Sequence, residues 1–358
     1  MSESKVTFEK GNVALAKAAV AAGCRYYFGY PITPQSDIPE YLSGVLPRIG
    51  GQFVQAESEV ASINMLLGAG ATGKRAMTSS SSPGISLKQE GISYMAGSEI
   101  PAVIVNVQRS GPGLGGIAPS QGDYFQATRG GGHGDYRVIV LAPASVQEMY
   151  DLTVLAFELA DAYRTPVMVL ADAMIGMMKE PLEEWVPQNP EPAKDDWAAT
   201  GAAGRPGRRI KSLYLGDGEL AEHNWKLAQK YERIRREETR VQIELPEGCE
   251  LAVVAFGSAA RIAKSAVDRL NDEGRRVGYV RPITLWPFPE EAIRRVAEQG
   301  VPLLTVELNT GQMVEDVRLA VEGRAPVHFA GYPPGYLPSP DDIYDEIVRR
   351  LPAGKEAA

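Results

Sequence analysis

The chain alternates short apolar runs with amphipathic segments, and that alternation restricts its possible folds more than any other feature. Residues 12–22 place Val13, Ala16, Ala19 and Val20 on one helical face and end at Gly23, where a helix C-cap belongs. Residues 25–30 then read as a strand. Further strand candidates fall at 53–55, 75–78, 102–107, 138–141 and 167–170, with helical patterns at 58–71, 85–96 and 146–162 between them. Strands that alternate with helices predict an α/β fold: a parallel sheet covered on both faces.

At 358 residues the chain is too long for one ordinary core, so two domains are expected. Residues 1–185 form the first. From 181 to about 207 Pro, Gly and charged residues cluster, as in a surface connection. Residues 219–240 are densely charged and helix-favouring, with only Leu220, Trp225, Leu227, Tyr231 and Ile234 able to pack. Residues 186–246 are therefore read as linker plus charged helix. Residues 247–358 are read as a smaller α/β domain, with strands at 251–256, 277–280 and 303–306, helices at 259–270 and 290–297, and a closing helix at 341–351.

Hydrophobic residues make up 44% and charged residues 23%, a globular composition. The formal charge of -8 argues against a nucleic-acid partner, and in the charged helix Glu219, Glu222, Glu232, Glu237 and Glu238 offset the basic residues. The two cysteines, Cys24 and Cys249, stand far apart with no CxxC. Neither a metal or cluster site built from this chain nor a disulfide framework is expected, and both thiols read as small apolar groups. The first residues, Met1 to Val6, lack a signal-peptide pattern, and no apolar run reaches the length of a membrane span. A cytoplasmic location with no membrane partner is expected.

Four features fall at the C-terminal ends of predicted strands, the edge where open α/β sheets bind ligands. Gly29-Tyr30-Pro31-Ile32-Thr33-Pro34 is a proline-stiffened turn that holds one hydroxyl; taken alone it reads better as a rigid turn before a helix. Gln55-Ala56-Glu57-Ser58-Glu59 enters an apolar helix. Acidic residues cap helices, but Glu59 precedes Val60, Ala61, Ile63, Met65 and Leu66, and a carboxylate buried among them needs a partner, such as a ring nitrogen that takes a proton. The third, Gln108-Arg109-Ser110-Gly111-Pro112-Gly113-Leu114-Gly115-Gly116, has glycines that allow close backbone approach and an arginine whose planar fork suits a carboxylate. It has no phosphate-loop spacing. The fourth, Arg129-Gly130-Gly131-Gly132-His133-Gly134-Asp135-Tyr136, is a loop in which His133 reads as structural or interfacial for want of a partner. Leu215-Gly216-Asp217-Gly218 is similar to the opening of a diphosphate–magnesium motif, but it follows no apolar strand and reads as a turn.

Taken together and in order, these residues resemble one family. Residues 29–34, Glu59, residues 108–113 and 130–137, Phe256-Gly257-Ser258-Ala259-Ala260-Arg261, residues 281–289 and Val306-Glu307-Leu308-Asn309-Thr310-Gly311-Gln312-Met313 are similar to the alpha subunit of 2-oxoacid:ferredoxin oxidoreductases. The His133 segment looks most like the branched-chain, 2-oxoisovalerate type, with the short 2-oxoglutarate type next. The resemblance implies a thiamine-diphosphate-binding (Pyr) parallel-sheet domain followed by a smaller transketolase C-terminal-like domain.

It also implies CoA-dependent oxidative decarboxylation of a 2-oxoacid, with electrons passing through iron–sulfur clusters to ferredoxin. By similarity, Glu59 hydrogen-bonds the pyrimidine nitrogen and so favours the imino tautomer that deprotonates the thiazolium carbon. Arg109 and Thr33 match substrate-binding positions, and Pro31 and Ile32 wall the cofactor pocket. A beta subunit binding the diphosphate and Mg2+, a gamma-type subunit, a ferredoxin-like iron–sulfur subunit and external ferredoxin are the implied partners, with the site at an interface. The alternatives are a beta-type subunit of a lipoamide-linked 2-oxoacid dehydrogenase and a scaffold with a retired site. Retention of Glu59, Arg109 and Thr33 together argues against the scaffold.

Overall fold

Every residue of the strands Ala102–Gln108 and Pro166–Asp172 is buried. A strand without a solvent face belongs in the middle of a sheet with helices on both sides, and that placement organises the first lobe. The computed structural model describes residues 6–187 and 192–351; residues 1–5, read above for a targeting signal, and 188–191 of the proline-rich connection lie outside it.

The first lobe runs β1 (Val6–Lys10), α1 (Gly11–Ala21), β2 (Tyr26–Gly29), α2 (Asp37–Val45), β3 (Gln52–Gln55), α3 (Glu59–Ala71), β4 (Ala76–Ser80) and α4 (Ser82–Gly97). It continues with β5 (Ala102–Gln108), α5 (Tyr124–Arg129), β6 (Ile139–Leu141), α6 (Val146–Tyr163), β7 (Pro166–Asp172), α7 (Ala173–Met177) and β8 (Lys179–Glu183). Then come α8 (Glu219–Glu238), β9 (Val241–Glu244), β10 (Leu251–Val254), α9 (Gly257–Asp272), β11 (Val277–Pro282) and β12 (Thr284–Trp286). The chain closes with α10 (Glu290–Glu298), β13 (Leu303–Glu307), α11 (Met313–Val321), β14 (Val327–Gly331) and α12 (Pro340–Val348).

Among the described residues the strands form three sheets. The largest has the order β12-β6-β7-β5-β4-β2-β3, parallel except where β12 meets β6. The second has the order β14-β13-β10-β11-β9, parallel except at β9. β1 and β8 form a separate antiparallel ribbon. The α/β fold expected from the alternation is therefore present in both lobes. No described helix is long and apolar enough to cross a membrane.

The two sheets exchange strands across the boundary expected at residue 246. β9 precedes it and joins the second sheet, while β12 follows it and joins the first through Thr284↔Leu141 and Trp286↔Val140. One buried cluster accordingly runs from Tyr27 and Val105 through Phe256 and Trp286 to Leu303 and Met313, and a second lies on the far face of the smaller sheet.

α8 packs by Leu227, Tyr231 and Ile234, the i, i+4, i+7 spacing of one stripe, whereas Leu220 and Trp225 stay outside at 49% and 73% exposure. Trp225 lies off that stripe, and Leu220, seven residues before Leu227 on the same stripe, sits in the first turn of the helix, so the five-residue packing set read from the sequence reduces to three. Lys226 and Lys230 fix the helix to Glu99, and the ring of His223 stacks on Tyr214 while meeting the Gly97 carbonyl at 2.7 Å.

Candidate functional site

Glu59 is the first residue of α3. Ser58 caps that helix by accepting a hydrogen bond from the Ala61 amide at 3.1 Å. A carboxylate in a first turn normally reaches into water, but this one is only 7% exposed. It lies against the first turn of α4. A Cβ built on Gly84 falls 2.7 Å from Glu59 Oε1 and 2.1 Å from Ser80 Oγ, so glycine is what lets the carboxylate come so near α4. Among the described residues no hydrogen bond or ion pair reaches this carboxylate.

Several neighbouring polar atoms share that condition. The hydroxyls of Ser80 and Ser81 and the side-chain nitrogen of Gln35 are buried without partners. Gln35 Oε1 accepts a hydrogen bond from Ser79, whose hydroxyl also meets Tyr27 Oη at 2.7 Å, so the amide nitrogen of Gln35 is held in place behind the edge of the sheet. Buried polar groups are rarely left unpaired, and a group of them beside an unpaired carboxylate leaves donors and acceptors for a polar ligand.

Arg109 follows the fully buried β5. Its backbone amide donates to Ser82 Oγ at 3.0 Å, and Ser82 Oγ donates to Asp123 Oδ2 at 2.6 Å. Asn106 Nδ2 donates to the same carboxylate oxygen at 2.8 Å. Burial pushes the Asp123 carboxyl upward, and these two hydrogen bonds work against that shift. The Arg109 guanidinium donates to the carbonyls of Thr33 and Leu114, each at 3.1 Å, and its Nε is buried without a partner. It thereby joins the Thr33 turn to its own glycine loop. The loop closes through Ser110 N to Ala118 O and Gly116 N to Ser110 O, both at 3.0 Å. Gly115, at φ +59, would set a Cβ 1.8 Å from the Ser110 carbonyl, so only glycine fits there.

The N-terminal turn of α4 is thus the common wall of the site. Ser82 touches the Arg109 backbone, Gly84 touches Glu59, and Arg109 reaches across to Thr33. Thr33 is exposed and bound only through its carbonyl, Pro31 is exposed, and Ile32 is half-buried in the same turn. His133 is elsewhere. Its carbonyl accepts from Ser93 Oγ at 2.8 Å, Gly131 N donates to Gln89, and its ring is exposed, so the Gly-rich loop packs on the later part of α4.

The second lobe reaches this wall. Gln121 exchanges hydrogen bonds with the Leu308 backbone at 2.9 and 3.0 Å and donates to the Phe256 carbonyl at 2.7 Å. Asn309 Nδ2 donates to the Gln121 carbonyl, and Gln312 accepts from Phe125 N, each at 2.8 Å. A cleft of about 390 Å³ opens between Pro112, Asp123, Asn309 and Gln312. Sequence reading missed this clasp, the Ser82–Asn106–Asp123 network and Lys88. The run Ser79-Ser80-Ser81-Ser82 at a strand end was the visible signal for part of it.

Known proteins resemble this chain along most of its length. Residues 17–241 match the family described as pyruvate flavodoxin/ferredoxin oxidoreductase, thiamine diphosphate-binding, and residues 249–343 match pyruvate:ferredoxin oxidoreductase core domain II. The ketoisovalerate oxidoreductase subunit VorB of Methanothermobacter thermautotrophicus is 53% identical over 314 residues, covering 87% of this chain and 88% of that one. The 2-oxoglutarate synthase subunit KorA of Archaeoglobus fulgidus is 41% identical over 313 residues, covering 86% and 89%. A solved 2-oxoglutarate:ferredoxin oxidoreductase from Magnetococcus marinus, with 2-oxoglutarate, coenzyme A and succinyl-CoA bound, superposes with a TM-score of 0.83 at 26% identity, over 98% of this chain and 66% of that chain. A split-gene transketolase shares the fold alone, at 14% identity and a TM-score of 0.58. With both domain families matched in order, and relatives of this identity aligned over most of their length, the chain belongs to the 2-oxoacid:ferredoxin oxidoreductases, as an alpha-type subunit that carries their thiamine-diphosphate-binding domain.

Proposed function

We propose that this subunit, assembled with its partners, converts a 2-oxoacid and coenzyme A into acyl-CoA and CO2, passing two electrons to ferredoxin and releasing one proton. 2-Oxoisovalerate is the favoured substrate and 2-oxoglutarate the next. The observation that carries the reading is the Glu59 carboxylate, buried and unpaired against Gly84 beside the unpaired hydroxyls of Ser80 and Ser81. Thiamine diphosphate supplies, when bound, the carbon nucleophile and the electron sink for cleaving the bond between carbonyl and carboxylate.

Glu59 would hold the pyrimidine ring nitrogen and share its proton, and the hydroxyls and the Gln35 amide nitrogen would meet the remaining polar edge. Pro31 and Ile32 would wall the pocket. Among the described residues the Arg109 guanidinium has two neutral carbonyl acceptors and no carboxylate, so its charge is left for an incoming substrate carboxylate. The Thr33 hydroxyl, free of hydrogen bonds among the described residues, would take the carbonyl end. Leu114 and Ile117, 80% and 65% exposed on the loop that Arg109 fixes, offer apolar surface to a branched side chain.

In this reading residues 1–185 hold the pyrimidine, 186–246 connect, and 247–358 support the assembly. A beta subunit binds the diphosphate and Mg2+, and a gamma-type subunit and a ferredoxin-like iron–sulfur subunit complete the complex in the cytoplasm. The test is coenzyme-A-dependent ferredoxin reduction by the purified complex with 2-oxoisovalerate, 2-oxoglutarate and pyruvate in parallel, for the wild type and Glu59→Gln. Turnover should be highest with 2-oxoisovalerate and lost in the variant. Near-normal turnover in E59Q refutes the role of Glu59, and transfer to lipoamide instead of ferredoxin selects the dehydrogenase alternative.

A further inference from the structure

The side chain of Lys88 is fully buried and takes no part in the contacts described so far. It stands one helical turn beyond Gly84, on the same face of α4. Its ammonium donates to Thr78 Oγ1 at 2.5 Å and reaches the Ser79 carbonyl at 3.5 Å. Among the described residues no carboxylate comes within ion-pair distance of it. A buried ammonium with neutral partners alone is costly to keep, and a lysine in mid-helix has many apolar replacements of similar volume.

The titratable groups on the elements around it are few. They are Glu59 of α3, Asp172 at the end of β7, Tyr27 of β2 behind Ser79, and Asp123, which bonds Ser82 at the start of α4, with Glu90 and Tyr94 on α4 itself. Only Glu59 acts on Lys88. Burial brings the amine down to about 7, and the Glu59 charge opposes that shift. The pair therefore spans the strand end that carries Ser80 and Ser81, with the carboxylate toward the site and the amine beneath it.

We infer that Lys88 is a positioning residue of this site, keeping the negative charge on Glu59 so that the proton they share with the bound pyrimidine resides on the ring nitrogen. The inference rests on the role proposed for Glu59. A cation behind the carboxylate stabilises its ionised form and leaves the ring as the proton carrier. An apolar residue there favours the neutral carboxyl, which must give up its proton before the ring can take it.

The experiment is carried out on the assembled complex loaded with thiamine diphosphate. Near-ultraviolet circular dichroism of the bound aminopyrimidine is followed from pH 6 to 9, together with kcat and KM, in wild type, Lys88→Met, Thr78→Val and Glu59→Gln. Lys88→Met keeps the volume and removes the charge. Thr78→Val leaves Lys88 in place and removes the hydroxyl that accepts from it. The dichroic transition should move up by about one pH unit in K88M, a tenfold change in the equilibrium, and in the same direction by less in T78V. At pH 7, kcat of K88M should fall about tenfold while KM for the 2-oxoacid stays within about twofold.

A transition unmoved in both variants overturns the role of Lys88, as does an equal rise in KM with kcat unchanged. If K88M does not assemble, T78V decides by the same measure. Survival of the transition in E59Q would instead refute the assignment of Glu59 itself, so the two failures are distinguishable.

Discussion

Replacing Gly84 with alanine separates the position of the Glu59 carboxylate from the stability of the fold. Gly84 lies in ordinary helical backbone in the first turn of α4, where alanine gains about 0.5–1 kcal/mol of helix propensity. The new Cβ meets Ser80 Oγ at 2.1 Å and Glu59 Oε1 at 2.7 Å. The Ser80 hydroxyl has no partner and rotates away at little cost. The carboxylate has to withdraw by about 0.7 Å to reach ordinary contact at 3.4 Å. That forces Glu59 off its rotamer at about 0.5–1.5 kcal/mol, which offsets the propensity gain, so net stability changes by less than about 1 kcal/mol. A misplacement of about 1 Å in a catalytic group costs up to about 10²-fold in rate, and between 10-fold and 10²-fold is expected here. The assay is coenzyme-A-dependent ferredoxin reduction by the complex at saturating 2-oxoisovalerate, with a thermal melt of the same preparation. Turnover within about twofold of wild type at an unchanged melting temperature refutes the argument. A melting temperature lower by more than about 4 °C refutes its other half, since the helix would then have absorbed the collision.

Two further outcomes are expected. Arg109→Lys replaces a planar fork that spans two carbonyls with a single ammonium, so KM for the 2-oxoacid should rise at least about tenfold while the melting temperature moves little; an unchanged KM would remove Arg109 from substrate binding. Burial raises the Glu99 carboxyl, but Lys230 and Lys226 outweigh it and bring the pKa down to about 2 from 4.5. The depressed value means that the pairing stabilises the fold above pH 4.5 and that this contribution is lost as pH falls toward 2. Acid unfolding of Glu99→Gln should therefore converge with wild type over that interval while the variant is less stable at pH 7, and parallel curves throughout would count against it.

Much of this architecture was readable before the structure because fully buried parallel strands are continuous apolar runs. β5 and β7 announce themselves, and α1, α3, α4 and α6 lie within a few residues of the expected ranges. α2, α11 and β14 escaped, and so did elements whose partners are distant in sequence or whose faces are wet. β12 has three residues and finds β6 across more than a hundred others, while β1 pairs with β8 as a half-exposed ribbon. At the site, the Thr33 turn and Arg109 were legible as punctuated loops, and Glu59 from the apolar helix behind it. Gly84 and Lys88 were not, because a glycine just ahead of a predicted helix looks like punctuation and a lysine inside it looks like a solvated charge. Only the approach of α3 to α4 gives them meaning.

The clasp of the second lobe on residues 121–125 limits how this subunit can be taken apart. Cut away from residues 247–358, the first lobe would leave both amide arms of Gln121, the Phe125 amide and the Tyr124 hydroxyl with nothing to hold. Those groups lie at the far end of the loop that begins at Arg109, so the losses would fall on the wall of the candidate site and not on a distant seam. Grafting a foreign second lobe onto this chain therefore requires carrying Asn309, Gln312 and Asp316 across and keeping the backbone course at Phe256 and Leu308.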